Sequence, residues 1–287
     1  MFLTRASAGE VVIPNNTTKG SQDPLPHRLV KVGLSILLAG WDRLPGRRLA
    51  DRARGVILLY HDVPPAEQAR FGRQLDQLLA AGKPASCDDM VGRADGIWRL
   101  AITFDDGLLS FDRVARPELD SRLIGASMFA ISRLLRDADE DAFPTHEGRP
   151  TMTRAALASL AHTRHQVGSH GLQHLRLSLL EDDDVRTEFR ESMRELEEIM
   201  GEPVTTFAFP YGDWNRTTVE LARECGYERV YSVNPDLVGA ARSDPFVFGR
   251  IVVSPTDWPI ETWLKLRGSY RWVARWSHFK ARLGERG

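Results

Sequence analysis

Two stretches of the chain carry side chains that could do chemistry together. Thr103-Phe104-Asp105-Asp106-Gly107 sets two carboxylates side by side, and Ser169-His170-Gly171-Leu172-Gln173-His174 sets two imidazoles four residues apart. Adjacent carboxylates repel unless a cation relieves them. Histidines at i and i+4 on a helical turn share a face and can hold one metal ion. Asp106, His170 and His174 would then supply one carboxylate and two imidazoles, leaving coordination positions open for water and substrate. Structural metal sites are usually closed by four protein ligands, so this composition points to catalysis. Asp105 would stand beside the ion as a general base for the bound water. Taken singly, each pattern has a plainer reading: Asp-Asp-Gly suits a helix N-cap, and most isolated HxxxH pairs are ordinary surface or core histidines.

Both stretches follow short apolar runs, and so do two other polar clusters. Strand-length runs occupy residues 56–60, 100–104, 126–131, 165–169, 205–209, 229–233 and 246–253. Helical spacing falls between them: from Pro65 to Gly82 with a stripe of Phe71, Leu75, Leu78 and Leu79, then over 117–124, 153–161, 185–200 and 218–225. Strands alternating with helices predict a parallel α/β sheet or barrel. In such folds the side chains at the carboxyl ends of the strands gather at one face. Tyr60-His61-Asp62 and Phe209-Pro210-Tyr211-Gly212 share that address with the first two clusters. Neighbours in a regular strand point to opposite faces, so Gly107 is expected to allow the turn that brings Asp105 and Asp106 into one cleft.

The 287 residues are 42% hydrophobic and 27% charged with a net charge of −1, an ordinary globular composition. It excludes a disordered chain and argues against a general nucleic-acid binder. Cys87 and Cys225 are the only cysteines and form no CxxC pair, which excludes a thiolate zinc site and a disulfide framework. The longest apolar stretch near the start, 32–39, is too short to span a membrane and badly placed for a signal peptide, so a cytoplasmic location is expected. Charge is segregated: residues 1–54 carry +5, residues 261–287 carry +5, and residues 55–260 carry −11. The expected organisation is a flexible tail with a basic helical segment over 1–54, a barrel over 55–260, and a basic, Trp-rich helical tail over 261–287. The apolar stretches at 29–38 and 263–279 lie near Arg28, Lys31, Arg267, Arg271 and Arg275. They are expected either to pack on the barrel with their cations solvated or to make peripheral contact with an anionic membrane surface. The oligomeric state is left open.

Thr-Phe-Asp-Asp-Gly at 103–107, Ser-His-Gly-Leu-Gln-His at 169–174 and Phe-Ala-Phe-Pro-Tyr-Gly at 207–212, in that order, resemble the polysaccharide deacetylases of carbohydrate esterase family 4, the NodB-homology domain. The resemblance spans roughly residues 55–255. It implies a distorted (β/α) barrel of about seven parallel strands and metal-dependent hydrolysis of N-acetyl groups on hexosamine glycans. Carried over by motif, Asp105 is the general base and Asp106, His170 and His174 are ligands to one divalent ion, zinc first, with cobalt, nickel or iron as alternatives. Pro210 and Tyr211 are expected at the oxyanion, through the Tyr211 amide.

The sequence also departs from the family pattern. Ala208 stands where an arginine is common, and the later Leu-x-His motif that supplies the usual acid is missing from 250–257. A branch with an early Tyr-His-Asp motif and a FAYPYG-like third motif, found with exopolysaccharide or cell-surface glycan synthesis, is more similar. His61 is therefore expected to be the general acid, kept protonated by Asp62, the alternatives being a fourth metal ligand or a satisfied strand-end histidine. Arg250 is expected to support the site, and Trp214 to stack on a sugar ring. His27, His146, His162, His165 and His278 match no motif and are expected to face solvent or bond locally, and Trp263, Trp272 and Trp276 to pack. The alternatives weighed are an O-acetyl esterase on a polysaccharide, a catalytically impaired glycan-binding domain, and an Fe(II) oxygenase with the same donor types.

Overall fold

The computed structural model describes residues 24–44, 49–92, 94–137, 145–239 and 246–273. Its strands are short runs of Val, Ile, Leu and Phe buried on both faces, as a parallel sheet covered by helices requires. β1 (Gly55–Tyr60) is buried along its whole length. The two-residue β2 (Lys83–Pro84) pairs with the start of β3 (Arg99–Phe104), and β3 runs parallel to β1 from Gly55↔Arg99 to Tyr60↔Phe104. β4 (Ser127–Ala130) continues the sheet on the far side of β3. β5 (Thr145–His146) and β6 (Arg149–Pro150) form a separate antiparallel hairpin. β7 (Gln166–Ser169), β8 (Thr206–Ala208), β9 (Arg229–Tyr231) and β10 (Val247–Phe248) then follow β4 in parallel order.

The expected single strand over 246–253 divides in two. β10 pairs with β9 at one edge of the sheet, and β11 (Ile251–Val252) pairs with β1 at the other, through Leu58↔Ile251. The break falls at Gly249, where a Cβ atom would lie 2.2 Å from the Asn234 carbonyl oxygen, so only glycine passes this close. One short segment thus touches both edges of a curled path of eight strands, β10-β9-β8-β7-β4-β3-β1-β11. The result is the distorted α/β barrel that the alternation predicts, with one strand more than expected because the last is split.

Seven helices are described: α1 (Leu25–Trp41), α2 (Gln68–Ala81), α3 (Arg116–Ser121), α4 (Arg154–Ala158), α5 (Asp182–Met200), α6 (Arg216–Glu224) and α7 (Pro259–Leu266). In α2, Phe71, Leu75 and Leu78 are buried as expected, but Leu79 is 44% exposed because it falls off the packed stripe. α5 opens on Asp182, Asp183 and Asp184 at the positive end of its dipole and ends at Gly201 in the left-handed region. Strand alternation separates two layers of core. Val56, Leu58 and Tyr60 of β1 pack outward with Phe71, Leu75 and Leu78. Ile57, Ala101, Phe129, Ala208, Tyr231 and Phe248 cluster on the other side and fill the interior of the barrel.

Candidate active site and metal centre

Asp105 and Asp106 leave the end of β3 in different directions because Asp106 itself turns left-handed, at φ 75°, with Gly107 following at 68°. The expectation assigned the turn to Gly107 alone; a non-glycine residue shares it. Such strain in a buried aspartate is characteristic of functional sites. Both carboxylates are nearly solvent-free, at 1% and 2% exposure.

His170 and His174 do not sit on a helical turn, which corrects the sequence expectation. They lie on an irregular loop after β7, and His174 is held at φ 62°. A spacing of four brings two rings together here because the loop doubles back. Glu188 of α5, buried at 3%, fixes that loop by accepting the Leu172 N–H at 2.8 Å and the Gln173 N–H at 3.2 Å. Loop carbonyls are used as well: Ser132 donates its N–H to Gly171 and Arg133 donates to Leu172.

The donor atoms of Asp106, His170 and His174 lie within 4.8 Å of one another. His170 Nε2 is 3.6 Å and His174 Nε2 3.7 Å from Asp106 Oδ1. Ligands of one tetrahedral zinc ion at bond lengths of about 2.1 Å stand about 3.4 Å apart, so these residues fit such an ion with little movement. His170 Nδ1 lies 2.7 Å from the Ala208 carbonyl, a bond in which the ring donates and which leaves its Nε2 lone pair facing Asp106. Burial pulls the His170 imidazole below the ordinary histidine range despite Asp105 and Asp106. Burial, and then the neighbouring His170 and His146, pulls His174 far below that range as well. Both rings are therefore neutral and offer lone pairs to a metal rather than protons.

Asp105 is in other company. Arg250 Nη1 donates to Oδ1 at 2.7 Å and Nη2 to Oδ2 at 2.8 Å, a fork-on-fork pair. Arg250 is fully buried and is oriented by the Ser232 carbonyl and the Thr103 hydroxyl. Burial pushes the Asp105 carboxyl up, yet the Arg250 guanidinium, helped by His170, outweighs it and holds the group below the usual carboxylate range. The guanidinium absent at Ala208 is thus supplied from the seam between β10 and β11.

His61 follows β1, whose last residue is in register with Phe104. It lies at the expected face. Among the described residues, however, it forms no ion pair with Asp62, so the expected stabilising partner is not in place. Tyr211 takes a left-handed φ of 59°, its ring 4.4 Å from His174 and beneath the Arg176 guanidinium. Trp214 packs on Phe209 with the ring planes 26° apart, as part of a hydrophobic cluster.

His146 contradicts its expectation. It neither faces solvent nor finds a local partner: Nε2 lies 3.7 Å from Asp106 Oδ1, and its ring is 4.5 Å from His174. That nitrogen is buried without a hydrogen-bond partner. Arg149, across the same hairpin, donates to Asp106 Oδ2 at 3.1 Å. The signal that could have found them is Glu147-Gly148, a two-residue turn that folds residues 145–150 into a hairpin. Of the other histidines, His162 is exposed, as expected, whereas His165 is buried and meets Asp120, 45 residues away, at 3.1 Å. His27 is exposed too. Trp263 packs on the core and Trp272 donates to Ser35, while His278 and Trp276 lie outside the described residues.

A curled parallel barrel carries at its strand ends an Asp-His-His donor set that could hold a metal ion and a separate, ion-paired carboxylate, a layout suited to a hydrolase. Residues 94–230 match the family described as polysaccharide deacetylase. A curated relative from Bacillus subtilis (strain 168), described as "Putative polysaccharide deacetylase YxkH", is 25% identical over 156 residues, covering 54% of this chain. The match spans about half, 51%, of that relative's length. Among solved structures, IcaB from Ammonifex degensii is similar with a TM-score of 0.65 and 25% identity, over 74% of this chain and 97% of that one. The deacetylase PplD of Streptococcus pyogenes shares the fold with a TM-score of 0.64 and 20% identity, over 75% of this chain and 99% of that one.

Proposed function

We propose that the protein hydrolyses N-acetyl groups on an N-acetylhexosamine-containing glycan, in exopolysaccharide or cell-surface glycan metabolism. One divalent ion, zinc first among candidates, is held by Asp106, His170 and His174. The observation that carries this reading is the division of labour between two adjacent carboxylates. Asp106 faces imidazole nitrogens, while Asp105 is gripped by Arg250.

When bound, the ion supplies Lewis acidity to the acetyl carbonyl and the attacking water. Asp105, kept ionised by Arg250, accepts a proton from that water as its oxygen attacks the carbonyl carbon. The Tyr211 amide, next to Pro210, donates to the oxyanion. His61 gives a proton to the leaving amine as the C–N bond breaks and acetate departs. Trp214 offers its ring to a sugar.

The test is acetate release from chitooligosaccharides, peptidoglycan fragments and acetylated xylan, using chelated protein and protein reloaded with zinc, cobalt or nickel. Release from N-acetylated substrates by the reloaded protein alone is expected. Release from xylan alone would make the protein an O-acetyl esterase, and no release from any substrate would leave a glycan-binding domain.

A further inference from the structure

α1 is inside out for a helix on a water-facing surface. Such a helix normally packs its apolar stripe on the protein and turns its polar side to water. Here Arg28, Ser35 and Asp42 face inward. Arg28 donates through Nε to Glu261 at 2.8 Å and through Nη2 to the Thr256 carbonyl at 3.1 Å. Ser35, fully buried, accepts from Trp272 Nε1 at 2.9 Å. Asp42, 8% exposed, accepts from Arg271 at 2.8 Å. These residues recur at intervals of seven, which is two helical turns, so they form one packed stripe.

The opposite face is apolar. Leu25, Leu29, Val30, Leu34, Leu37 and Trp41 are 44% to 71% exposed. Gly33 and Gly40 lie on it too, with nothing within 4 Å of where a Cβ would stand. Eight of the fifteen large apolar side chains exposed among the described residues fall between Leu25 and Leu44. Isolated exposed leucines need no explanation, but a contiguous patch does. A groove of about 410 Å³ runs along it, lined by Leu34, Leu37, Leu38, Trp41 and Trp272.

The charge beside this face is positive. Arg43 and Arg267 both lie against the Trp263 ring, at 5.0 and 4.1 Å, and among the described residues neither has a carboxylate partner. Asp42, the one acid among residues 24–44, is turned inward to Arg271. Two guanidiniums crowded on one ring without an acid suit an anionic partner. They would repel the same pair on a second copy. A single helix of 17 residues, about 25 Å long, also offers much less than the roughly 800 Å² per partner of a stable protein interface.

We infer that α1 docks the protein on an anionic phospholipid surface, lying in the membrane plane with Leu29, Leu34 and Leu37 among the acyl chains and Arg43 and Arg267 at the phosphates. No helix among the described residues is long and apolar enough to cross a membrane, so the contact is peripheral. The sequence alternatives were packing with solvated cations or membrane contact through cations. The structure pairs Arg28 inward and leaves the apolar side chains to make the contact. The inference is independent of the chemistry at the strand ends.

The test is co-sedimentation of the full chain with phosphatidylglycerol–phosphatidylcholine vesicles and with phosphatidylcholine vesicles. Preference for the anionic vesicles and a blue shift of Trp41 fluorescence on binding, absent in Trp41→Phe, are expected. The pair Leu29→Glu with Leu37→Glu should weaken binding at least about tenfold to both vesicle types, with an unchanged unfolding midpoint because both positions face outward. The pair Arg43→Ser with Arg267→Ser should reduce the anionic preference about fivefold per arginine. Equal, negligible binding to both vesicles overturns the inference. So does a dimer, seen by sedimentation equilibrium without vesicles, that Leu37→Glu dissociates.

Discussion

The donor cluster at the strand ends and the outer face of α1 depart from ordinary burial in opposite senses. Asp105, Asp106, His170 and His174 are each no more than 6% exposed, whereas Leu29 and Leu37 are 55% and 71% exposed. Buried carboxylates are costly unless paired, and the protein supplies that pairing itself: Arg250 for Asp105 and Arg149 for Asp106. The exposed leucines have no such internal remedy among the described residues. One region is balanced by partners within the chain. The other is complete only against something outside it. The difference teaches where to look for a partner: a broken burial rule that is compensated locally marks chemistry, and one left uncompensated marks a contact.

The comparison can be tested hardest at Asp106. Asp106→Ala and His170→Ala are expected to lose bound metal and at least about 10³-fold of acetate release together, by metal analysis and turnover on one sample. Metal retained at full stoichiometry in either variant would break the donor assignment. Asp105→Asn should lose about 10²- to 10⁴-fold in turnover with metal retained, since it removes a proton acceptor rather than a ligand. Arg250→Leu sharpens the same point through pH. A carboxylate held below its usual range serves as base above its folded pKa and is lost as pH falls through it. Without the guanidinium, burial raises that pKa, so the acid limb of the pH–rate profile should move to higher pH.

Smaller effects follow. His61→Ala should keep metal and fold, lose about 10²-fold in turnover, and flatten the alkaline limb; near wild-type turnover would place the acid elsewhere. His146→Ala should weaken metal binding about tenfold in chelator competition, because an unpartnered nitrogen 3.7 Å from Asp106 adds a donor or orients one. An unchanged affinity would reduce His146 to packing. On the α1 side, Glu261→Gln should cost about 1–2 kcal/mol at pH 7 in thermal unfolding, through loss of the Arg28 bond. Burial raises the Glu261 carboxyl but Arg28 outweighs it, so this stability is present above the usual carboxylate pKa and fades as pH falls through the depressed one. The variant's deficit should shrink in acid.

Much of this was legible in the sequence, and the failures have physical causes. Strands read well because apolar runs of five or six residues flanked by glycine or polar clusters have few alternatives. Asp105, Asp106, His170 and His174 were legible as a set because four polar clusters at strand ends are hard to reach by accident. Their local geometry was not, since a spacing of four fits a helical turn and a doubled-back loop equally well. Helix packing on α1 was not legible because charge count says nothing about which face a side chain takes: Arg28 and Asp42 point inward, which only their partners on 261 and 271 dictate. His146 was missed because it reaches Asp106 from a hairpin 40 residues beyond it, where no motif surrounds it. The split at Gly249 depends on the carbonyl of Asn234, a contact absent from any local pattern.

The seam at Gly249 and Arg250 ties two distant parts of the chain to one short segment. Asp105 and the arginine that grips it are 145 residues apart in the chain. The same segment carries β11, which joins the sheet to β1. A truncation before residue 249 would therefore remove both that edge pairing and the guanidinium that balances the buried Asp105 carboxylate, so damage at the far end of the chain would be felt at the strand ends in its middle.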